Sequence, residues 1–372
     1  MLPGREDWWR TVAAPAARFT IARLDFDGRP TPDPTMIAIT DRPLAEAVAE
    51  GGEDAPRWLL PPDRPGGVGC VELERAILVV PQFLPVTLAG HTFRDAFAIY
   101  GPGKYAHLYG PELAAAVAAR TPALRAAADG PARFVLGSAD NHFHWLADFL
   151  PRLALLARRP DLADGGVLVN ADFTPAQQAI LDFATDALGL ARIVPRPIPE
   201  GLVGVRRAAL PTRIGRADAV RFWRTVAPPA AGPFRRLFIR RGAVSRRRLV
   251  DEAAVAALLE GQGFQCVDPG QLSFARQRQL FAEAATVVGT HGAALANILF
   301  AGPGTRVVEL RTAAHTSEFR DLAAAGGQPY AAIPLEERRE SHPEPLHRDV
   351  ELGAPGLARL RDLVTGTAAS GG

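Results

Sequence analysis

The chain has 372 residues, 48% apolar and 22% charged, the balance of a soluble globular protein with a sizeable core and about two domains. A formal net charge of +2 gives no electrostatic argument for nucleic acid, and no window approaches the run of about eighteen apolar residues that a membrane span needs. Cys70 and Cys266, far apart, form neither a CxxC metal pair nor a disulfide framework, so a reducing compartment is expected.

Arginine supplies nearly all the positive charge, Lys104 being the only lysine. Together with abundant Ala, Gly and Pro, this looks like the product of a GC-rich bacterial genome. Residues 1–10 are too polar for a signal peptide. A cytoplasmic protein is expected, one that can also associate peripherally with the inner face of the membrane.

Residues 1–70 are rich in Pro, Gly and Asp and read as an irregular region with a helix near 44–50. Residues 76–80 read as a strand and 93–100 as an amphipathic segment. Residues 112–129 are Ala-rich and helical, and Pro122 is expected to interrupt or restart that helix. A short strand at 134–136 precedes a helical pattern over 141–153. A strand at 166–169 and a helix at 174–188 follow, the latter capped by Thr174 with Pro175 at its first position. Another strand is expected at 192–194. This alternation of β and α predicts a parallel, helix-covered sheet.

A second alternating block runs from 236 to 310, with strands at 237–240 and 264–267 and helices at 252–260 and 273–285. Between the blocks lies a helix at 217–226 and a Pro/Gly run to 233, the best candidate linker. A helix at 357–364 and a Ser/Gly-rich frayed end close the chain. The expected division is an irregular region 1–70, a first Rossmann-like domain 71–215, a linker region 216–235, a second Rossmann-like domain 236–345, and a C-terminal helix and tail 346–372. Two such blocks suggest two domains facing each other across a cleft.

Three constellations carry chemistry. On a helix, His144, Asp148 and Arg152 share one face, a plausible acid–base stripe in which the carboxylate holds the imidazole or is itself the base. The alternative is a salt-bridged surface stripe. Trp145, Phe149 and Leu153 on the adjoining face are expected in the core. His142 and His144 also read as an HxH metal pair, but no third ligand accompanies them. Next, Arg240 and Arg241 end a strand, where open α/β sheets bind ligands, and an arginine fork suits diphosphate oxygens. Arg246, Arg247 and Arg248 read as a solvated basic loop or, more weakly without interleaved aromatics, a nucleic-acid patch.

The third is residues 286–310. A β-branched run stops at Gly289, a small-residue turn carries His291 and Gly292, residues 293–300 read as a helix, and a strand resumes at 307–309. The backbone N–H groups around Gly292, Ala293 and Ala294 are a ready anion site. The glycines lack the GxGxxG spacing, and the Lys-Ser/Thr of a P-loop is missing. His291 reads as a phosphate ligand or a helix cap. Glu309 reads as a ribose ligand or an ordinary strand-end carboxylate.

Together these segments, over residues 130–312, resemble glycosyltransferase family 61. Asn141-His-Phe-His-Trp-Leu-Ala-Asp-Phe-Leu-Pro-Arg-Leu is similar to its Asn-Tyr-Tyr-His-Trp-x-x-Asp/Glu-x-Leu-Pro-Arg-Leu pattern. Ile239-Arg-Arg, then residues 246–249 and Asp251-Glu252, resemble its Ile-Ser-Arg, arginine-rich and Leu-x-Asn-Glu elements. Residues 289–300 and 303–309 resemble Gly-x-His-Gly-Ala-Gly-Leu-x-Asn-x-x-Phe and Pro-Gly-x-x-Val-x-Glu. Arg240 replaces the serine, Ala294 the second glycine and Asp251 the asparagine.

The resemblance implies a GT-B fold and an inverting transferase using a nucleotide-diphosphate sugar, commonly a UDP-sugar, without a resident metal or other cofactor. It implies a C-terminal donor domain with Arg240, Arg241, His291, Gly292, Ala293, Ala294, Asn297 and Glu309. It implies an N-terminal acceptor domain with Asn141, His142 and Arg152, and with Asp148, assisted by His144, as base. The expected partners are a nucleotide sugar and a glycan or lipid-linked glycan of bacterial surface polysaccharide, with no nucleic acid. A nucleotide-sugar epimerase or hydrolase on the same fold and a non-catalytic sugar-nucleotide-binding scaffold are the alternatives.

Overall fold

The computed structural model describes residues 20–22, 36–38, 70–81, 83–88, 91–93, 111–126, 129–211, 214–242, 244 and 246–365. The expected helix near 44–50 and nearly all of the amphipathic segment 93–100 lie outside them. The chain is mixed α/β and divides into two compact units, residues 1–219 and 220–372. The division falls inside the helix Arg216–Val226.

The first unit contains strands β1 (Thr20–Ala22), β2 (Met36–Ala38), β3 (Cys70–Val80), β4 (Leu84–Thr87), β5 (His91–Phe93), β6 (Arg133–Val135), β7 (Val167–Asn170), β8 (Arg196–Ile198) and β9 (Gly201–Pro211). Seven form one sheet in the order β1-β3-β9-β6-β7-β8, with β4 also on β3, and β2 pairs β5 separately. The sheet is mixed, not wholly parallel as expected. Strand β9 runs parallel to β6 but antiparallel to β3, from Val80 opposite Gly201 to Cys70 opposite Pro211. The sequence hides β9 because Gly204 and the pair Arg206-Arg207 break the alternation that marks a strand. Gly204 lets the helix Pro111–Ala126 pack closely: a Cβ there would lie 2.8 Å from the Leu124 side chain. Leu73, Leu78, Val135, Leu168, Val205 and Leu210 pack one core of this sheet.

Two expectations in this unit are corrected. The helix Pro111–Ala126 continues through Pro122. Arg120 Nη1 donates to the Ala116 carbonyl and Thr121 Oγ1 to the Val117 carbonyl, so side-chain donors reinforce the turn before the missing N–H. The strand expected at 192–194 lies instead at Arg196–Ile198, set by pairing with β7, and Val194 is 73% exposed. Pro197 is tolerated because β8 is an edge strand. The helix Pro175–Ala187 opens as expected, with a reciprocal Thr174–Gln177 capping box.

The second unit holds a five-stranded, all-parallel sheet. Its strands are β10 (Arg235–Ile239), β11 (Gln265–Val267), β12 (Ala284–Thr290), β13 (Arg306–Arg311) and β14 (Tyr330–Pro334), in the order β11-β10-β12-β13-β14. Phe238, Val288, Val308, Leu310 and Ile333 pack against Val255 and Leu259 of the helix Glu252–Glu260 and Leu360 of the helix Gly353–Thr365. The helix expected at 273–285 ends at Ala282, because Ala284 already pairs with Arg235. A small antiparallel pair, β15 (Glu336–Arg338) and β16 (Asp349–Glu351), lies outside the main sheet. Among the described residues no helix is long and apolar enough to cross a membrane.

Candidate functional site

In the first unit the site is built on residues 142–158. Asn141 caps the start by accepting the Phe143 N–H at 2.9 Å. The expected uniform helix is instead an α turn His142–His144, a π-helix Trp145–Phe149, a 3₁₀ turn Leu150–Arg152 and an α-helix Leu153–Arg158. Pro151 has no N–H to donate to the fourth residue before it. The backbone widens before it, with Leu150 N–H reaching the Trp145 carbonyl, and tightens after it. Trp145, Phe149 and Leu153 are buried as expected, but so are His144, Asp148 and Arg152. The surface-stripe alternative is therefore excluded.

His144 Nδ1 lies 2.7 Å from Asp148 Oδ2. The other oxygen, Oδ1, accepts from Arg216 Nη1 at 2.8 Å, and the Arg216 guanidinium lies 4.8 Å over the Phe143 ring. Burial would raise the Asp148 pKa, but the Arg216 charge and the His144 hydrogen bond outweigh it and hold the group below its ordinary 3.8. Asp148 is thus a fixed carboxylate, 0% exposed, with both oxygens engaged. That geometry orients an imidazole and does not suit the expected role of proton acceptor. With His144 Nδ1–H donating to Asp148, proton exchange at this histidine falls to Nε2.

Arg152 does not complete the stripe on the acceptor side. It is 2% exposed, and donates from Nε to the Asp148 carbonyl at 3.1 Å and from Nη1 to the Leu136 carbonyl at 2.9 Å. It fastens the helix to the end of β6. Asn141 is exposed and His142 half-buried.

The lowered Asp148 pKa fixes the sign of a pH effect. A carboxylate whose folded pKa lies below its unfolded value stabilises the fold above the unfolded value. That contribution is lost as pH falls through the folded one. Asp148→Asn is therefore expected to lower the unfolding temperature in full at neutral pH, with the gap to wild type closing below about pH 4. Parallel curves down to the acid limit in a calorimetric pH series would refute this.

In the second unit the groups gather at the C-terminal edge of the parallel sheet, where Ile239, Gly289 and Glu309 stand in register on β10, β12 and β13. Arg241 follows β10. Its backbone N–H donates to Glu252 Oε1 at 2.7 Å, and a Cβ on Gly292 would lie 2.1 Å from its Nη1. Glycine at 292 therefore lets the guanidinium lie against the turn after β12. Burial, and then the neighbouring Arg247 charge, depress the Arg241 pKa to about 10. Arg247 has φ 56° and sits on a loop stitched to the C-terminal segment: Arg248 Nε donates to Asp349 Oδ2 at 2.9 Å, and Val350 N–H to the Arg248 carbonyl at 2.8 Å. Arg240 is exposed and pairs with Glu252 at 3.2 Å. Asp251, the family-pattern asparagine position, accepts the Leu352 and Gly353 N–H groups.

His291 Nδ1 donates to Glu309 Oε1 at 2.5 Å, and the Tyr330 hydroxyl donates to the other Glu309 oxygen. Glu309 is 0% exposed. The ribose role expected for it is corrected: both its oxygens are turned inward to a histidine and a tyrosine. Asn297, expected on the donor side, is also 0% exposed and braces Ala294 and Gln277. The segment carrying Ala293 and Ala294, expected as a helix, is helical in the 3₁₀ form, Ala293–Phe300. Apart from Asn297 it is apolar, and its last six residues are buried.

The His315 ring stacks on His291 at 4.1 Å and 7°, and Phe319 meets His291 edge-on at 5.0 Å. His315 is buried, and beyond His291 three arginines, Arg247, Arg311 and Arg241, act on it. Arg241 Nε, Arg247 Nε, Thr290 Oγ1 and Thr312 Oγ1 are buried without a hydrogen-bond partner among the described residues. Concentrated positive charge and orphaned buried polar atoms suit a polyanionic ligand.

Sequence reasoning missed Arg216, Arg311, His315 and Tyr330 and gave Arg247 no site role. Arg311 and His315 were within reach, because they lie at and just beyond the C-terminal end of a parallel strand. Arg216 left no local signal.

Residues 142–308 match the family model described as Glycosyltransferase 61. The matched segment contains His144, Asp148, Arg216, Arg241 and His291, and stops short of Glu309, Arg311, His315 and Tyr330. No curated protein matches the chain.

Proposed function

We propose that this chain, a member of glycosyltransferase family 61 over residues 142–308, is an inverting enzyme of the GT-B class. It moves a sugar from a nucleotide-diphosphate donor, a UDP-sugar by first choice, to a glycan or lipid-linked glycan hydroxyl. Its setting is bacterial surface polysaccharide synthesis in the cytoplasm, at the inner face of the membrane. The observation that carries the reading is the cationic cluster at the C-terminal edge of the second unit's parallel sheet, with Arg241 laid against Gly292.

In this reading the second unit holds the donor and the first serves the acceptor. The acceptor oxygen attacks the anomeric carbon as its proton passes to His144 Nε2, and Asp148, itself held by Arg216, keeps the imidazole in that orientation. A carbon–oxygen bond forms as the bond to the diphosphate breaks on the opposite face. The negative charge that grows on the departing diphosphate is met by Arg241, Arg247 and His291. The two arginines supply the countercharge, so the reaction is read as metal-independent.

A calorimetric screen of nucleotide-diphosphate sugars is expected to find micromolar binding of one nucleotide class. Folded protein that binds none of them would overturn the proposal. Gly292→Ala sharpens the test. Gly292 has extended backbone, φ 173°, that alanine adopts freely, and the new Cβ would clash with the movable end of Arg241 while touching the Thr290 carbonyl at an ordinary 3.7 Å. An unchanged melting temperature is expected with donor affinity about 10–100-fold weaker, the loss of one charge-assisted hydrogen bond. Wild-type affinity in this variant would remove Arg241 from the donor site.

A further inference from the structure

We propose that His315 is a second ligand of the donor diphosphate, a neutral imidazole that donates from Nε2–H beside His291. The inference rests on the donor reading of this edge and assigns a residue that lies outside the family segment.

The tautomer follows from one hydrogen bond. The Thr312 N–H donates to His315 Nδ1 at 3.1 Å, so Nδ1 carries a lone pair and no proton. A neutral ring then holds its only proton on Nε2. Burial and neighbouring arginines oppose charge on this ring. It is 6% exposed, stacked at 4.1 Å on His291, and acted on by Arg247, Arg311 and Arg241 as well. Burial first, and then those charges, push its pKa down to about 2. His315 therefore keeps one protonation state across the whole working range.

The two stacked rings divide the work. His291 has its Nδ1 committed to Glu309, which Tyr330 holds in turn, and His315 has its Nδ1 committed to the backbone. Each can meet a ligand only through Nε2. A diphosphate offers acceptor oxygens alone, so a neutral N–H donor that cannot switch to an acceptor matches it. Thr290 Oγ1 and Thr312 Oγ1, buried and without a hydrogen-bond partner among the described residues, sit at the ends of β12 and β13 beside these histidines. A bound diphosphate would give such hydroxyls an acceptor.

The test titrates wild type, His315→Ala, His315→Gln and Arg241→Ala with UDP by calorimetry, or with the diphosphate of whichever nucleotide the donor screen selects. His315→Ala is expected to bind about tenfold more weakly, and His315→Gln, whose amide N–H replaces Nε2–H, to regain most of that loss. A side chain that merely fills space would not be rescued this way. Imidazole ¹⁵N NMR is expected to show His315 as the Nε2–H tautomer, not titrating between about pH 5 and 8, with that resonance moving on UDP addition. Wild-type affinity in His315→Ala while Arg241→Ala loses binding would overturn this inference and leave the donor site standing. So would a glutamine variant as weak as the alanine one, or an Nδ1–H tautomer. Wild-type protein that binds no nucleoside diphosphate would overturn both.

Discussion

His144→Ala is expected to lower turnover by about 10²–10⁴-fold, the range general-base catalysis supplies, while leaving donor affinity unchanged. The reason lies in how the dyad is built. Asp148 has no exposed surface, and its two oxygens are taken by His144 at 2.7 Å and Arg216 at 2.8 Å. An acceptor proton cannot reach that carboxylate without breaking one of these contacts. Single-turnover rates for His144→Ala, His144→Gln and Asp148→Asn check the assignment. His144→Gln is expected to be as slow as the alanine variant, since an amide has no base. Asp148→Asn is also expected to be slow, because an asparagine oxygen or amide can fix the wrong imidazole tautomer. Near-normal rates in both His144 variants would return the base role to Asp148. The donor affinity measured alongside separates this loss from any effect on the second unit.

Arg241→Ala is expected to weaken nucleotide-diphosphate binding by about 10²–10⁴-fold, the loss of two charge-assisted hydrogen bonds from a bidentate fork. Arg241 is partly desolvated beside Arg247, its Nε has no hydrogen-bond partner among the described residues, and its pKa is depressed to about 10. A cation whose pKa falls on folding opposes the fold. Thermal unfolding is therefore expected to show Arg241→Ala at least as stable as wild type, even as binding collapses. Arg241→Lys keeps the charge but not the planar fork, and an intermediate affinity is expected. Wild-type binding in Arg241→Ala, or a variant that fails to fold, would contradict the assignment.

Much of the fold was legible because local chemistry announces it. Thr174 and Pro175 marked a helix start that the structure keeps as a capping box, and the 252–260 helix stands where expected, closed at Gly261. The β-branched run before Gly289 is the middle of β12, which extends beyond it at both ends. What was hidden lacked a local signature. Strand β9 has no alternation and exists because β3 offers a long antiparallel partner. The π-helix at Trp145–Phe149 arises where Pro151 collides with an otherwise helical pattern.

The candidate sites divide in the same way. From its sequence alone this protein could be read to carry a histidine and carboxylate at helical spacing, an arginine at a strand end and a histidine in a small-residue turn. Spacing along one element fixes which residues can meet, and His144 and Asp148 do meet. Only the tertiary structure decided what each group does there. A buried carboxylate must find a cation, and Asp148 finds Arg216, 68 residues away. Both Glu309 oxygens are taken by His291 and Tyr330, and His315 is held neutral by burial first and then by Arg241 and Arg247 from the loop after β10 and Arg311 from the end of β13. Burial and neighbouring charge set a group's protonation and role, and both depend on contacts that no stretch of sequence contains.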